Sequence, residues 1–471
     1  MKVKSGRYIK ENKVLFKKLV SRLLEDFEYV SLLAQDSYSK SYSVSRGGTN
    51  IQDNGMFTAV GFVVKIYDQG CYAEYSGNSI SEDEIEKIVT LVKEELVNLG
   101  SGNPKSAYSV PADEPVSFEK STEYKVDPEE MGDEKVVSYL KKIFNAGMEM
   151  DERVLNVTTN CIYQKYSKLF LSKNKDMEQN VMWATGAINI SVSKGEEVKN
   201  YYMPFSNLGG FEVLEAMEGS LKECVDVAIE LLDSEPMVPG LYDCICDPDT
   251  TGMIVHEAFG HGVEMDMFVK DRALAQKYVG DYVASPLITM HDGSTVDQTA
   301  TYFFDDEGTM AGDTVIIDKG ILKAGISDLQ SAIYLGTKPT GNGKRESFER
   351  KAYTRMTNTY FESGKDKLED MIKSIKYGFL LENPSSGMED PKNWGIQCMV
   401  NMAREIQDGE FTGKIFSPIV LTGYVPDLLK SISMVSDDFR LGGSGACGKG
   451  YKEWVKVSDG GPYIKAKIRL G

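Results

Sequence analysis

HEAFGHGVE, residues 256–264, is the stretch that decides how this sequence is interpreted. It follows LYDCICD (241–247), an apolar segment typical of a strand, and is predicted to lie on a helix. His256, Glu257 and His261 match the helical zinc motif H-E-x-x-H with one additional residue. In that motif two imidazoles bind the metal and the glutamate between them transfers protons. The segment therefore predicts a metal-binding helix.

The additional residue in this motif changes the geometry. Positions five apart on a regular α-helix point roughly 140° away from each other, so the two imidazoles could not reach one ion. Gly260 immediately precedes His261, and glycine permits a π-bulge, a kink or an early end of the helix. We therefore expect the helix to leave α geometry near Gly260.

A third protein ligand is expected, because catalytic zinc usually has three protein ligands and one water. The sequence offers four candidates: His291, Glu264, Asp266 and Cys447. The two acidic residues follow the motif so closely that they could equally orient the imidazoles. Cys447 lies in the glycine-rich segment GGSGACGKG (442–450), where a thiolate could be presented to a ligand. Chemistry alone favours Cys447 and leaves the other three open.

Each of these residues also has a structural interpretation. The histidines could be coincidental on a structural helix, Glu257 could be an exposed helical carboxylate, and Cys447 could be a buried inert thiol. Cys244 and Cys246 stand two apart on a predicted strand and so share a face. No second cysteine pair accompanies them, so we interpret them as core residues rather than a metal pair.

Composition excludes several classes of protein. A formal charge of -18 opposes direct binding to nucleic acid phosphates. No apolar run of about 18 residues could cross a membrane, and the N-terminus lacks the apolar core of a signal peptide. The seven cysteines are odd in number and widely spread, so we expect reduced thiols. We therefore expect a cytoplasmic protein.

The fold is predicted to be α+β, with two domains. Residues 1–236 are expected to form a mixed α/β domain with a possible subdivision at 101–127, a stretch without periodicity that we interpret as a connecting loop or flap. Residues 237–471 are expected to form a largely antiparallel β domain that carries the metal-binding helix. The boundary is placed near Pro236 and Pro239.

Particular elements of the first domain are also predicted. Apolar periodicity predicts helices that include residues 15–23, 136–144 and 221–232, and a further helix that starts at a capping box formed by Ser81 and Glu84. Strands are expected over 29–77, with turns at 47–48 and 69–70, and over 154–172 and 181–204, with Gly195 at a hairpin tip.

Several segments together resemble the TldD-type metallopeptidases of the TldD/PmbA family. They are HEAFGHGVE (256–264), FDDEGT (304–309), RMTNTYFESG (355–364), LTGYVPDLLKSISMVSDDF (421–439), GACGKG (445–450) and, in the first half, GFVVKIYDQGCYAEYSGN (61–78). The first and fifth are the specific ones, and the resemblance covers nearly the whole chain.

This resemblance implies one zinc ion per chain, held by His256, His261 and Cys447, with Glu257 as general base. It also implies a heterodimer with a PmbA-like (TldE-like) partner, a homodimer being the alternative. The implied substrates are unfolded or extended peptides, including precursor leaders and antitoxin-type proteins. From the residues alone, Glu264 could orient a ligand or contact substrate.

In the expected mechanism, zinc polarises the scissile carbonyl and activates water, while Glu257 moves the proton to the leaving amine. Arg355 and Asn358 could support the metal ligands from behind or hold substrate backbone or an oxyanion, although a solvated charge and a turn residue are equally good interpretations. Two other functions fit the sequence: a non-catalytic PmbA-like scaffold, and a metal-dependent amidase acting on small molecules.

Overall fold

A computed structural model describes residues 1–68, 70–100, 109–450 and 452–471. The predicted α+β class is confirmed: helices and largely antiparallel sheets are both present. Two expectations fall partly outside the described residues, namely the turn at Gln69 and the first eight residues of the predicted loop at 101–127.

The first half of the chain alternates helices with long strands. Its elements are α1 (Arg7–Leu23), β1 (Tyr29–Ser45), β2 (Gly48–Asp53), β3 (Ala59–Asp68), β4 (Cys71–Gly77), α2 (Glu82–Gly100), β5 (Val116–Ser121), α3 (Pro128–Met131), α4 (Asp133–Glu149), β6 (Val154–Leu171), β7 (Lys175–Lys194), β8 (Glu197–Leu208) and α5 (Val213–Glu230).

These strands form one sheet whose two faces have different neighbours. The order is β4-β3-β1-β6-β7-β5, with β2 on β1 and β8 on β7. Alternate residues of β1 and β6 pack under the helices α1, α2, α4 and α5. Leu33 and Phe170, which face the other way, pack against Phe304 of the second half of the chain. The sheet is therefore covered by helices on one side and by the rest of the molecule on the other.

The second half of the chain is richer in short strands. Its elements are β9 (Gly240–Cys246), α6 (Pro248–Met253), α7 (Met265–Val269), β10 (Met290–Gly293), β11 (Asp313–Asp318), β12 (Ile321–Leu322), α8 (Leu329–Leu335), β13 (Gly343–Lys344), β14 (Tyr353–Thr354), β15 (Asn358–Phe361), α9 (Leu368–Lys373), β16 (Tyr377–Asp390), β17 (Gly395–Gln407), β18 (Glu410–Phe416), β19 (Ile419–Tyr424), α10 (Val425–Lys430), β20 (Met434–Val435), β21 (Arg440–Gly442), β22 (Ala446–Lys449), β23 (Lys452–Lys456), β24 (Ser458–Gly461) and β25 (Ile464–Leu470).

Two sheets in this half flank the histidine motif. One has the order β16-β9-β25-β19-β17-β18, with β20 on β25, and β17 also pairs with β16, so the first five strands of this order close into a ring. The other has the order β12-β11-β10-β15-β24-β21. The segment that carries the histidines contacts β16 and β17 of the ring and β15 and β24 of the second sheet. The motif is thus held between two sheets.

Most predicted elements of the first half are present. The hairpin with Gly195 at its tip is β7–β8, and Gly195 has a positive φ of 66°. The predicted loop is wrong in its second part, because β5 lies there and pairs in parallel with β7. The domain boundary near residue 236 stays a prediction. None of the described helices is long and apolar enough to cross a membrane.

Candidate metal centre

The histidine-bearing segment changes helix type along its length. It starts as α6, which is capped by Asp247: the Asp247 Oδ1 atom accepts a hydrogen bond from the Thr250 backbone amide at 2.7 Å. Residues Ile254–Gly260 then form a π-helical turn, and the His261 amide donates to the His256 carbonyl. With this i→i+5 hydrogen bond, the side chains of the two histidines lie on the same side of the helix. The expected departure from α geometry is therefore confirmed.

Gly260 differs from the prediction in how it contributes to this turn. Its backbone is helical, with φ at −59° and ψ at −51°, so it uses no conformation special to glycine. A Cβ at this position would lie 2.2 Å from the sulfur of Met356. Gly260 therefore allows Met356 to pack directly against the histidine turn.

The structure brings Cys447 to the two histidines. Its Sγ lies 3.4 Å from Nε2 of His256 and 3.4 Å from Nε2 of His261. The imidazole centroids are 5.1 Å apart and their planes are nearly perpendicular. The three donor atoms lie within 4.8 Å of one another. Three side chains from two distant segments could thus hold one metal ion.

Charge complementarity holds this cluster together. Burial opposes ionisation of Cys447, but the two imidazoles outweigh it and hold the pKa of the thiol well below its usual range. Burial likewise opposes protonation of His261, and the Cys447 thiolate and Glu264 raise its pKa well above the usual value. The cluster therefore carries the thiolate that a metal ligand needs.

Glu257 stands beside the cluster in the position expected for a base. Its Oε2 lies 4.0 Å from Nε2 of His261. Burial raises the pKa of its carboxyl, and the two imidazoles partly offset that effect. Gly387 of β16 lies opposite, where a Cβ would come within 2.4 Å of the Glu257 Cγ. The Glu257 side chain is therefore held in a close-fitting position.

Glu264 lies where an orienting residue would be placed. It is 2% exposed, and its Oε2 is 3.6 Å from Nδ1 of His261. Lys449 donates to the same carboxylate at 3.0 Å and to Asp266 at 2.9 Å. Burial raises the pKa of Glu264, but the charges of Lys449, His261 and Arg355 outweigh it and lower the pKa. The carboxylate therefore stays ionised next to the imidazole.

Arg355 and Asn358 are neither a solvated charge nor a turn residue. Arg355 is 1% exposed, so a solvated charge is wrong, and Asn358 is buried in β15, so a turn residue is wrong. Arg355 donates to the Cys447 carbonyl at 2.8 Å, and Asn358 donates to the Gly293 carbonyl at 2.7 Å. Neither side chain lines the cleft beside the histidines.

The other candidate ligands lie elsewhere. His291 is in β10, with its Nδ1 2.8 Å from Asp313 and its Nε2 3.0 Å from Glu362. Cys244 and Cys246 are buried in the apolar core of the second half, in agreement with the core interpretation. In the part of the chain that the structure describes, the only group of three close donors is the one at His256, His261 and Cys447.

The three donors open into a cleft of about 810 Å³. Its lining includes Glu257, the β16 residues 383–389, the β22 residues 446–449, Tyr202 and Asp459. Sequence reasoning missed Glu389 and Asp459, both in this lining, because no motif contains them. Lys449 connects the cysteine segment to Glu264 through a hydrogen bond. It lies in the motif GACGKG, but the sequence does not show which residue it pairs with.

Several known proteins are similar to this chain. The model of the PmbA/TldA metallopeptidase C-terminal domain matches residues 239–469. A metalloprotease of Methanothermobacter thermautotrophicus is 30% identical over 317 residues, which are 67% of this chain and 69% of that protein. A protein of Saccharolobus solfataricus named zinc metalloprotease TldD homolog is 31% identical over 266 residues, 55% of this chain and 56% of that protein.

The fold is also found among solved structures. TldE from Thermococcus kodakarensis superposes with a TM-score of 0.77 at 19% identity, covering 97% of this chain and 99% of that one. At that identity the similarity concerns the fold.

Proposed function

This chain belongs to the TldD/PmbA family of metallopeptidases, and we propose that it is a zinc-dependent peptidase that hydrolyses unfolded or extended peptides. The observation that carries the proposal is the convergence of the His256, His261 and Cys447 donor atoms within 4.8 Å, facing a cleft. One zinc ion per chain is proposed at this position.

The donor set fits zinc. Two imidazole nitrogens and one thiolate are ligands that catalytic zinc accepts, and a set of three leaves one position for water or substrate. Glu264 beside Nδ1 of His261 matches the carboxylate that commonly orients a zinc-bound imidazole. When bound, zinc supplies a Lewis acid that polarises a carbonyl and makes water more acidic.

Glu257 is the proposed general base. Its carboxylate lines the cleft beside the histidines, and burial raises its pKa, which makes it a stronger base than an ordinary glutamate. Glu257 would accept a proton from the attacking water on a carboxylate oxygen and donate it to the leaving amine. No nucleophilic side chain is required for this route.

The shape of the cleft supports an extended substrate. Strand β9 pairs with β16 from Gly378 to Leu381 and ends at Cys246. Beyond that point, residues 383–389 of β16 line the cleft next to Glu257. A peptide in β conformation could pair with this edge through main-chain hydrogen bonds, which depend little on its sequence. Precursor leaders and antitoxin-type proteins are substrates of this kind, and folded proteins are not.

Assembly with a second chain is part of the proposal. Apolar side chains are exposed at the rim of the cleft, with Met388 at 66% and Tyr202 at 41%. A TldE-like partner, or a second copy of this chain, could cover them and enclose the site. Light scattering of the purified chain, alone and mixed with a TldE-like chain, distinguishes these two assemblies.

The test combines metal content with activity. We expect one zinc per chain by elemental analysis, and hydrolysis of an unstructured fluorogenic peptide with or without a TldE-like chain. Glu257→Gln should keep the zinc and lower the rate by about a hundredfold or more, because the base is lost. The matched control is Glu362→Gln, because Glu362 is a solvent-exposed carboxylate outside the cleft. This substitution should change neither the zinc content nor the rate of hydrolysis.

Three results would contradict the proposal. Absence of zinc and of hydrolysis in both assemblies would indicate a scaffold. Hydrolysis of small amides in place of peptides would indicate an amidase. Full activity of Glu257→Gln would show that Glu257 is not the general base.

A further inference from the structure

Cys447 lies on β22, which forms a small hairpin with β23 that belongs to no larger sheet. β22 and β23 pair with each other, and no other described strand pairs with them. A two-stranded hairpin is at best marginally stable in water, so contacts with side chains outside it must fix its position. The position of the Cys447 thiolate therefore depends on those contacts.

Arg355 contacts both strands of this hairpin. One guanidinium NH2 group donates to the Cys447 carbonyl on β22 at 2.8 Å, and the other donates to the Glu453 carbonyl on β23. The planar fork of arginine fits two acceptors held at a fixed spacing. A charged side chain that is 1% exposed needs partners in the interior, and these two carbonyls accept hydrogen bonds from its NH2 groups.

The same guanidinium also reaches the other half of the site. Its Nε lies 3.4 Å from Oε1 of Glu264, an ion pair without hydrogen-bond geometry. The second carboxylate oxygen of Glu264 faces Nδ1 of His261 at 3.6 Å. Arg355 thus connects the backbone of the cysteine ligand to the carboxylate behind a histidine ligand, although the two ligands are 186 residues apart in the chain.

The neighbours of Arg355 in the sequence contact the site as well. The Thr354 carbonyl accepts a hydrogen bond from Lys449 at 3.1 Å, two residues beyond Cys447. Met356 packs against Gly260 in the histidine turn. Residues 354–356 therefore contact both ligand-bearing segments, and Arg355 makes the contact closest to the cysteine.

We propose that Arg355 is the positioning residue for the thiolate ligand: its guanidinium fixes the β22–β23 hairpin so that Cys447 Sγ lies between the two imidazoles before metal binds. This inference rests on the proposed zinc site and gives Arg355 a specific role there that its sequence context does not define. Arg355 acts through the hairpin and does not line the cleft, so it contacts neither metal nor substrate.

The test uses the full chain with cobalt(II) and zinc. Cobalt bound by a thiolate gives a charge-transfer absorption band, which reports the sulfur–metal contact directly. Arg355→Lys keeps the charge but loses the fork, and Arg355→Met keeps much of the volume without the charge. We expect both to weaken the band and to raise the zinc dissociation constant about 10–100-fold, with Met the worse of the two. Circular dichroism establishes that each variant is folded.

Arg404→Lys is the matched control. Arg404 pairs with Glu230 at 2.9 Å and Glu382 at 2.7 Å, away from the hairpin, so its loss should leave the cobalt band and zinc affinity unchanged. The inference is overturned if folded Arg355→Lys has the wild-type band and affinity, or if Arg404→Lys shows the same loss. If Arg355→Met fails to fold, the Lys variant alone decides. A wild-type chain without the band would contradict the zinc site itself, which separates the two failures.

Discussion

Cys447 and Cys246 are both buried thiols in the second half of the chain, yet their environments make them chemically opposite. Cys246 lies in an apolar core, where burial raises the pKa of the thiol well above its usual value. Cys447 is 8% exposed, and the imidazoles of His256 and His261 outweigh burial and lower its pKa. Burial alone therefore does not assign a role to a cysteine; the charges that face it do.

The histidines show the same contrast. His256 and His261 each present Nε2 to a shared sulfur beside a cleft. His291 has both ring nitrogens next to carboxylates and stacks on Tyr360 with centroids 5.3 Å apart. A residue type that could bind metal is paired there with two carboxylates instead.

The largest effect on zinc binding is expected when each of the two cysteines is substituted by serine. Cys447→Ser removes a direct ligand, so we expect zinc affinity to fall on the order of a hundredfold or more, beyond the loss typical of an orienting residue. Cys246→Ser should keep one zinc per chain, at a stability cost of about 1–3 kcal/mol from a hydroxyl buried among apolar groups. Chelator competition and thermal unfolding measure the two effects. Equal zinc loss in both variants would break the comparison.

A smaller effect concerns the accessibility of the two thiols. Cys447 lines the cleft, whereas Cys244 and Cys246 are fully buried. After zinc is removed, we expect iodoacetamide to modify Cys447 in the folded chain, and added zinc to protect it. Cys244 and Cys246 should react only after denaturation. Peptide mass spectrometry identifies the modified residue, and modification of Cys246 in the folded chain would contradict this assignment.

The smallest effect is expected at His291. Hydrogen bonding to Asp313 raises its pKa, burial opposes this, and the charges of Asp313 and Glu362 add to the rise. Because the folded pKa is the higher one, this stabilisation is complete below the unfolded pKa of about 6.5 and is lost as pH rises through the folded pKa. His291→Gln should therefore cost about 1 kcal/mol near pH 5.5, since both carboxylates are partly exposed, and less once the pH has risen above the folded pKa.

Urea unfolding of the wild type and His291→Gln across this pH range measures that difference. Zinc content should be the same in both. A stability difference that grows with rising pH would have the wrong sign and would refute the ion-pair assignment.

Local features of the site could be predicted from the sequence, and long-range ones could not. A departure from α geometry follows from the spacing of His256 and His261, because helix geometry is local, but the spacing does not say that the departure is a π-helical turn. Cys447 is 186 residues beyond His261, so no periodicity relates them; the chemistry of its glycine-rich segment favours it, and the family resemblance implies it. The packing of Met356 on Gly260 and the burial of Arg355 depend on contacts between distant segments, which explains why the sequence interpretations of these residues differ from the structure.

The elements of the fold also differ in whether a local sequence signal predicts them. The β7–β8 hairpin and the amphipathic helices have local signals in composition and periodicity. Strand β5 has none: it is a short segment of mixed polarity whose pairing partner, β7, lies more than fifty residues later. Parallel pairing at that separation leaves no pattern in the strand itself, so the segment resembled a loop.

X-ray absorption spectroscopy at the zinc edge of the purified, zinc-loaded chain is the most direct measurement of the metal site. The account predicts two nitrogen scatterers at about 2.0–2.1 Å that belong to imidazoles, and one sulfur at about 2.3 Å that disappears in Cys447→Ser. A first shell of nitrogen and oxygen alone in the wild type, or a sulfur that persists in Cys447→Ser, would contradict it.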